Sequence, residues 1–382
     1  MRRHIVSLGA SVRYGVIGLD DSKCEKPESS CSFLGAMVSN AVSLGDKVGF
    51  LGRAAAYPHP VREFVCRETH MSFVFLAGGT VYKLKKPVRF PYLDFSTLAR
   101  REAACRAELV LNRRLAPDVY KSVVALVRSA RGLAIGGPGE IVDWLVVMRR
   151  LDETGTFENA VATGQLAEWQ LDRLMATLVD FYRRASVVFV SPEVHLANWR
   201  QSLSYNRRIL LEPRLGLPAG LVRHIDRAQR NFLTERSGLI TERLCHRHIV
   251  DGHGDLRPEH IWLGDPVTII DCLEFNARLR AVDPFDEIAF LCVECERLGG
   301  KHASKSIERR AIHALQDGLS AELFTFYRCY RATLRARLAI AHLLEPKPRA
   351  PEKWPALARA YLQLAENDAV RLKRVLRTRA GR

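Results

Sequence analysis

The segment His253-Gly-Asp-Leu-Arg-Pro-Glu-His260 sets an acid, Asp255, two positions after one imidazole and five before another, with a guanidinium two positions after it. Leu263-Gly-Asp-Pro266 then has the composition of a turn, and Val267-Thr-Ile-Ile270 is a mostly apolar run ending in a second acid, Asp271. A carboxylate in a loop and another at the end of a buried hairpin strand can divide one task. The first orients or deprotonates a hydroxyl, and the second holds a divalent ion against phosphate oxygens. A lone His-x-Asp triplet arises by chance in many chains. The hairpin and the second acid at this distance make it informative.

A basic strand lies upstream. Val81, Lys83 and Lys85 alternate with Tyr82 and Leu84, so both lysines point to one face of a half-buried strand. Lysines on an edge strand can serve only to block edge pairing. They can also pair with phosphate oxygens and a helix carboxylate. The next predicted helix supplies the carboxylate: Ala104, Glu108, Leu111 and Leu115 share a face, where an unpaired charge would be costly. Lys85, preceded by Leu84, is the preferred partner of Glu108 over Lys83.

The catalytic loop of protein kinases reads H-R-D-L-x-x-x-N, and this chain offers H-G-D-L-R-P-E-H. Glu68-Thr-His-Met-Ser72, Tyr82-Lys-Leu-Lys-Lys-Pro87, Leu93-Asp-Phe-Ser-Thr97, Asn112-Arg-Arg-Leu-Ala-Pro117, His253–His260 and Ile270-Asp-Cys-Leu-Glu-Phe-Asn276 occur in that order. Together they resemble the aminoglycoside phosphotransferase-like kinase family, in an uncharacterised branch sometimes fused to a P-loop ATPase domain. The resemblance covers roughly residues 43–345. It implies ATP as phosphate donor with Mg or Mn, and a small-molecule hydroxyl as acceptor. Asp255 would be the base, with Arg257 supplying transition-state charge, and Asp271 the main metal ligand. Lys85 and Glu108 would form an ion pair, with Lys83 the alternative phosphate contact. Residues 68–72, with Thr69 and Ser72, would cover the phosphates. Residues 148–151, beginning Met148-Arg149, would meet the adenine, and Asp286 would brace the loop. The family usually has Asn where this chain has His260. An imidazole suits Mn better than Mg, and Glu274 is an alternative oxygen ligand.

These residues need elements to hold them. A helix is predicted over Ser43–Leu51, strands over Val61–Arg67, Ser72–Leu76, Thr80–Lys86 and Ile141–Met148, and a helix over Thr97–Leu115. Beyond Asp152 the pattern turns helical: 166–185, 195–211, 221–244, 286–298, 307–319, 321–344 and 356–376. The expected fold is α+β and kinase-like, with two lobes. Residues 1–42 would be a poorly ordered extension, 43–150 a β-rich nucleotide-binding lobe, 151–345 a helical catalytic lobe, and 346–382 a basic tail helix.

Composition narrows the partners. The 382 residues are 47% hydrophobic and 26% charged, as in ordinary globular proteins, with no apolar run long enough to span a membrane. The faint leader-like start is interrupted by Arg13, so a cytoplasmic protein is expected. The nine cysteines are scattered, and Cys292-x-x-Cys295 lacks a zinc set, which fits packing thiols. Net charge is +16, with 14 Lys/Arg against 4 Asp/Glu from Arg328 onward. That stretch could attract nucleic acid, but it lacks interleaved aromatics and is expected to be a solvated helix face. A pseudokinase or nucleotide-dependent binding module is the other alternative, favoured by His260. A protein kinase is disfavoured, because only 12 positions separate Asp271 from Asp283. Oligomeric state and the acceptor's identity are not legible.

Overall fold

The computed structural model describes residues 42–90, 92–345, 348 and 350–380. The predicted extension over residues 1–42 lies, except for its last residue, outside them. Two compact units emerge: residues 42–106 with 121–150, and 107–120 with 151–380. The division falls inside a helix, so 107–120 group with the helical unit rather than with the predicted β-rich lobe.

The first unit opens with α1 (Leu44–Leu51), started by a capping box in which Ser43 and Asp46 satisfy each other's amides. Strands β1 (Phe64–Glu68), β2 (Ser72–Ala77) and β3 (Thr80–Lys85) follow as two hairpins. Gly78 turns the second at a φ of 60°, which a side chain would disfavour. After β4 (Arg89–Phe90) and β5 (Leu93–Asp94) comes α2 (Leu98–Asn112). Then β6 (Tyr120–Ser129), β7 (Gly132–Ile135) and β8 (Glu140–Arg149) complete a six-stranded sheet of order β1-β2-β3-β8-β6-β7.

Alternation sorts the side chains of this sheet. Phe75, Tyr82, Leu84 and Leu145 enter an apolar cluster with Leu51 of α1. The opposite face carries Ser72 across from Lys85, Val74 across from Lys83, and Val81 across from Met148. Buried Asp143 ties the unit together, accepting from Lys47 and from Arg101, each at 2.8 Å.

The second unit contains α3 (Phe157–Thr163), α4 (Glu168–Arg184), α5 (Pro192–Leu210), α6 (Ala219–Glu235) and α7 (Ser237–Cys245). The predicted helix 221–244 is thus two helices, broken at Arg236, whose φ of −130° is not helical. Four two-residue strands follow: β9 (Val250–Asp251), β10 (Ile261–Trp262), β11 (Thr268–Ile269) and β12 (Ala281–Val282). β9 pairs with β12, and β10 with β11, which is the hairpin expected around residues 263–266. The unit closes with α8 (Pro284–Arg297), α9 (Lys301–Leu315), α10 (Ala321–Ala341) and α11 (Lys353–Ala380). On α6, Val222, Ile225, Phe232 and Leu233 recur at helical spacing on the core face. α8 is buried all round from Pro284 to Cys295, as a central helix must be.

Two expectations change here. The predicted basic tail is α11, and it is core: Trp354, Ala358, Tyr361, Leu362, Ala365, Ala369 and Leu372 belong to the main apolar cluster. The basic stretch on α10 is no solvated face either. Arg328, Arg331 and Arg335 are buried and meet Glu296, Asp286 and Glu294 at 3.0, 2.6 and 2.6 Å. Cys292 and Cys295 are free thiols buried in α8. No helix among them is long and apolar enough to cross a membrane.

Candidate active site

Asp255 sits in the loop between β9 and β10, with about 1% of its surface exposed. Three features hold that loop. First, Glu287 on α8 accepts from the backbone amide of His253 at 3.0 Å and from that of Gly254. The Tyr182 hydroxyl donates to the same carboxylate at 3.0 Å. Second, the chain must approach Glu287 closely: a Cβ at Gly252 would lie 2.7 Å from its Oε2. Gly254, at a φ of 87°, would put a Cβ 2.9 Å from Leu273. Third, His253 is a neutral strut. Its Nε2 donates to the Ile270 carbonyl at 3.0 Å and its Nδ1 accepts from the Asp255 amide at 3.3 Å. Burial, reinforced by nearby His260, pushes this imidazole down to about 3.

Asp286, the expected brace, points elsewhere. Its carboxylate takes Arg331 of α10 at 2.7 and 2.6 Å, and its neighbour Glu287 does the bracing.

Asp271 ends the hairpin in a left-handed conformation, φ 64°. A non-glycine residue held there marks a position fixed by its surroundings. The fixing bonds are explicit: Ile270 N to His260 O at 3.0 Å, Asp271 N to the Tyr120 hydroxyl at 3.3 Å, and Cys272 N to Asn112 Oδ1 at 2.9 Å. Arg114 spans both segments, donating to the carbonyls of Asp251 and Gly252, each at 2.9 Å, and contacting Cys272 Sγ at 3.2 Å. Residues 112–120 therefore set the two acids relative to each other. The sequence motif Asn112–Pro117 was visible without a role. The signal that could have found one is Asn112 lying one turn beyond Glu108, a second polar group on an otherwise apolar face.

Between the acids lies a buried polar set. Arg257, about 2% exposed, donates to Asp255 Oδ2 at 3.1 Å, Glu259 Oε1 at 2.5 Å and His260 Nε2 at 3.0 Å. His260 Nδ1 lies 2.9 Å from the Asp255 carbonyl, and Nε2 lies 3.6 Å from Asp271 Oδ2. Burial raises the Asp255 carboxyl above its ordinary value, with Arg257 and His260 opposing. For Glu259, burial pulls upward but Arg257 and His260 outweigh it, holding the group down to about 2. Asp255 Oδ1 is buried and has no hydrogen-bond partner. A buried carboxylate oxygen left open costs stability unless something else uses it.

The donors expected to bind nucleotide lie in the first unit. Lys85 is buried, with its ammonium 5.0 Å from the centre of the Phe95 ring, and Lys83 is half-buried on the same face. Met148 joins that face, whereas Arg149 projects from the other and is exposed. The turn 68–72 is tight. Thr69 Oγ1 accepts from the amides of Met71 and Ser72 at 3.3 and 2.9 Å, so these two amides serve the turn itself. Lys86 fastens this turn to Glu68 and the Thr69 carbonyl. Glu108, fully buried, lies in the helical unit. Glu274 is half-buried, three residues beyond Asp271.

No family model matches the chain. An uncharacterized protein of Mycobacterium tuberculosis is 33% identical over 307 residues, 78% of this chain and 59% of that relative. An uncharacterized protein of Mycobacterium bovis matches to the same extent. The chain thus spans less than two thirds of the length of these curated relatives. Among solved structures it is similar to a choline/ethanolamine kinase family protein from Mesorhizobium loti, with 14% identity and a TM-score of 0.47. That similarity covers 85% of this chain and 98% of the other. It is also similar to aminoglycoside 2'-phosphotransferase-IIIa in its GDP complex, with 18% identity, a TM-score of 0.46, and coverage of 82% and 94%.

Proposed function

We propose that this chain is an ATP-dependent phosphotransferase of the aminoglycoside phosphotransferase-like kind, acting on a hydroxyl of a small molecule in the cytoplasm. The observation that carries this reading is Asp255. It is a buried carboxylate on a loop braced by Glu287, with one oxygen open and a second acid, Asp271, fixed nearby in a left-handed conformation. Its burial raises its basicity, as proton abstraction from a hydroxyl requires.

The part-exposed Asp271 carboxylate suits a hard divalent cation, which when bound would neutralise charge on the phosphate oxygens. This chain's own residues do the rest. Asp255 Oδ1 accepts the hydroxyl proton as the acceptor oxygen bonds to the γ-phosphorus of ATP and the bond from that phosphorus to the β,γ-bridging oxygen breaks, releasing ADP. Arg257, donating to Asp255 Oδ2, keeps the carboxylate turned so that Oδ1 stays open. Lys85 and Met148, on one sheet face, would serve phosphate and adenine respectively.

The test is a thermal shift followed by turnover. ATP with Mg or Mn should raise the melting temperature of the wild type, since a ligand selective for the native state stabilises it. Asp271→Ala should abolish the rise. ADP release should then appear against one or a few members of a panel of hydroxylated metabolites. An unchanged melting temperature at millimolar ATP with either metal would sink the reading.

A further inference from the structure

His260 stands where a metal-binding amide is expected, and an imidazole there suggests a softer metal site. The hydrogen bonds around it say otherwise. A backbone carbonyl can only accept, so the 2.9 Å contact between His260 Nδ1 and the Asp255 oxygen places the ring proton on Nδ1. A guanidinium can only donate, so the 3.0 Å contact between Arg257 Nη2 and His260 Nε2 engages the lone pair of the other nitrogen. The two assignments agree on one neutral tautomer and leave neither nitrogen for a metal.

Arg257 is not a side chain that can swing aside. It is buried, with two carboxylates, Asp255 and Glu259, on its other two nitrogens, Nε and Nη1. A cation ligated by Nε2 would have to displace one member of this set and sit beside a permanent positive charge.

We propose that His260 is a positioning residue and not a metal ligand. It couples the backbone of Asp255 to the guanidinium of Arg257, so that the guanidinium stays on Asp255 Oδ2 and the open Oδ1 keeps its direction. The divalent ion is then held through oxygen, by Asp271 and the nucleotide. This deepens the phosphotransferase reading and rests on it. It also removes the reason to expect a Mn preference, because ligand softness no longer enters.

Pulsed electron paramagnetic resonance of Mn bound with ADP decides the matter on the wild-type chain. Two preparations are compared, one with ordinary and one with 15N-labelled histidine. The nitrogen modulation of the Mn signal should be the same in both. Modulation that switches from 14N to 15N character would place an imidazole on the metal and overturn the inference, while leaving the phosphotransferase reading intact. A chain that binds neither Mn nor ADP would overturn both.

Substitution gives a second readout. His260→Asn should lower kcat while leaving the ratio of Mg to Mn dependence of ADP binding unchanged. A shift of that ratio by about tenfold toward Mg would count against a positioning role.

Discussion

As the proposed base, Asp255 carries two opposed demands: it would have to be ionised to take a proton, and it is buried where ionisation is costly. Arg257 reconciles them by donating to one oxygen while leaving the other open. Asp255→Asn keeps the shape and removes the acceptor, so ADP binding should persist while turnover falls roughly 10²–10⁴-fold, measured by ADP release. The pH profile gives an independent reading. Burial raises the carboxyl, so the acid limb of kcat/KM should lie above the ordinary carboxylate range. Arg257 opposes that rise, so Arg257→Met should move the limb further toward neutral pH. A limb that stays put in Arg257→Met would show that another group controls it.

Glu287 is the element-scale counterpart, because through it α8 holds the loop that carries Asp255. Glu287→Ala strands two buried amides and the Tyr182 hydroxyl, each worth about 1–3 kcal/mol when left unpaired. The melting temperature should drop, and the amides of His253 and Gly254 should lose protection in hydrogen exchange. Asp286→Ala should also destabilise, since it leaves Arg331 buried without its carboxylate, but those two amides should stay protected. Equal loss of protection in both variants would mean that the brace is not local. This pair also shows where sequence reading ends. The two acids and the hairpin between them are legible because the signal is short-range: turn residues, an apolar run and the spacing of the carboxylates. Strands β2 and β3 are legible for the same reason. The choice between Asp286 and Glu287 is not, because neighbours on a helix point about 100° apart and only the packing of α8 decides which meets the loop. His260 is hard to read for a related reason. Its residue type suggests a ligand, but its partner Arg257, three positions away, is revealed only by the fold of the turn.

At the scale of the whole chain, the sequence alone reads residues 346–382 as a basic tail helix and the basic stretch from Arg328 onward as a solvated face. Arg328, Arg331 and Arg335 recur at helical spacing, which looks like a charged stripe when their acids lie far off in sequence. The fold brings Glu294, Glu296, Asp286 and Asp368 to them. Tyr361 of α11 also donates to Glu294, 2.8 Å from each of its oxygens. Truncation after Leu344 should therefore unfold the helical unit. Trp354, Tyr361, Leu362 and Leu372 alone contribute about 1.5–3 kcal/mol each by burial, comparable in sum to a domain's whole stability. Circular dichroism of the shortened chain checks this. Asp368 gives a finer test of the same docking. Burial, against the pull of Arg328, raises its carboxyl to about 6. In the unfolded chain it titrates near the ordinary value of about 3.9. Between these values the folded state holds the extra proton, so stability from this group rises as pH falls through 6 and is lost as pH rises through it. Asp368→Asn cannot titrate. The stability of wild type relative to the variant, from denaturant melts, should increase by about 1 kcal/mol between pH 7.5 and pH 5. A difference that is flat across that range, or that moves the other way, would mean that Arg328 and Arg371 keep Asp368 charged and that α11 docks as a full ion pair.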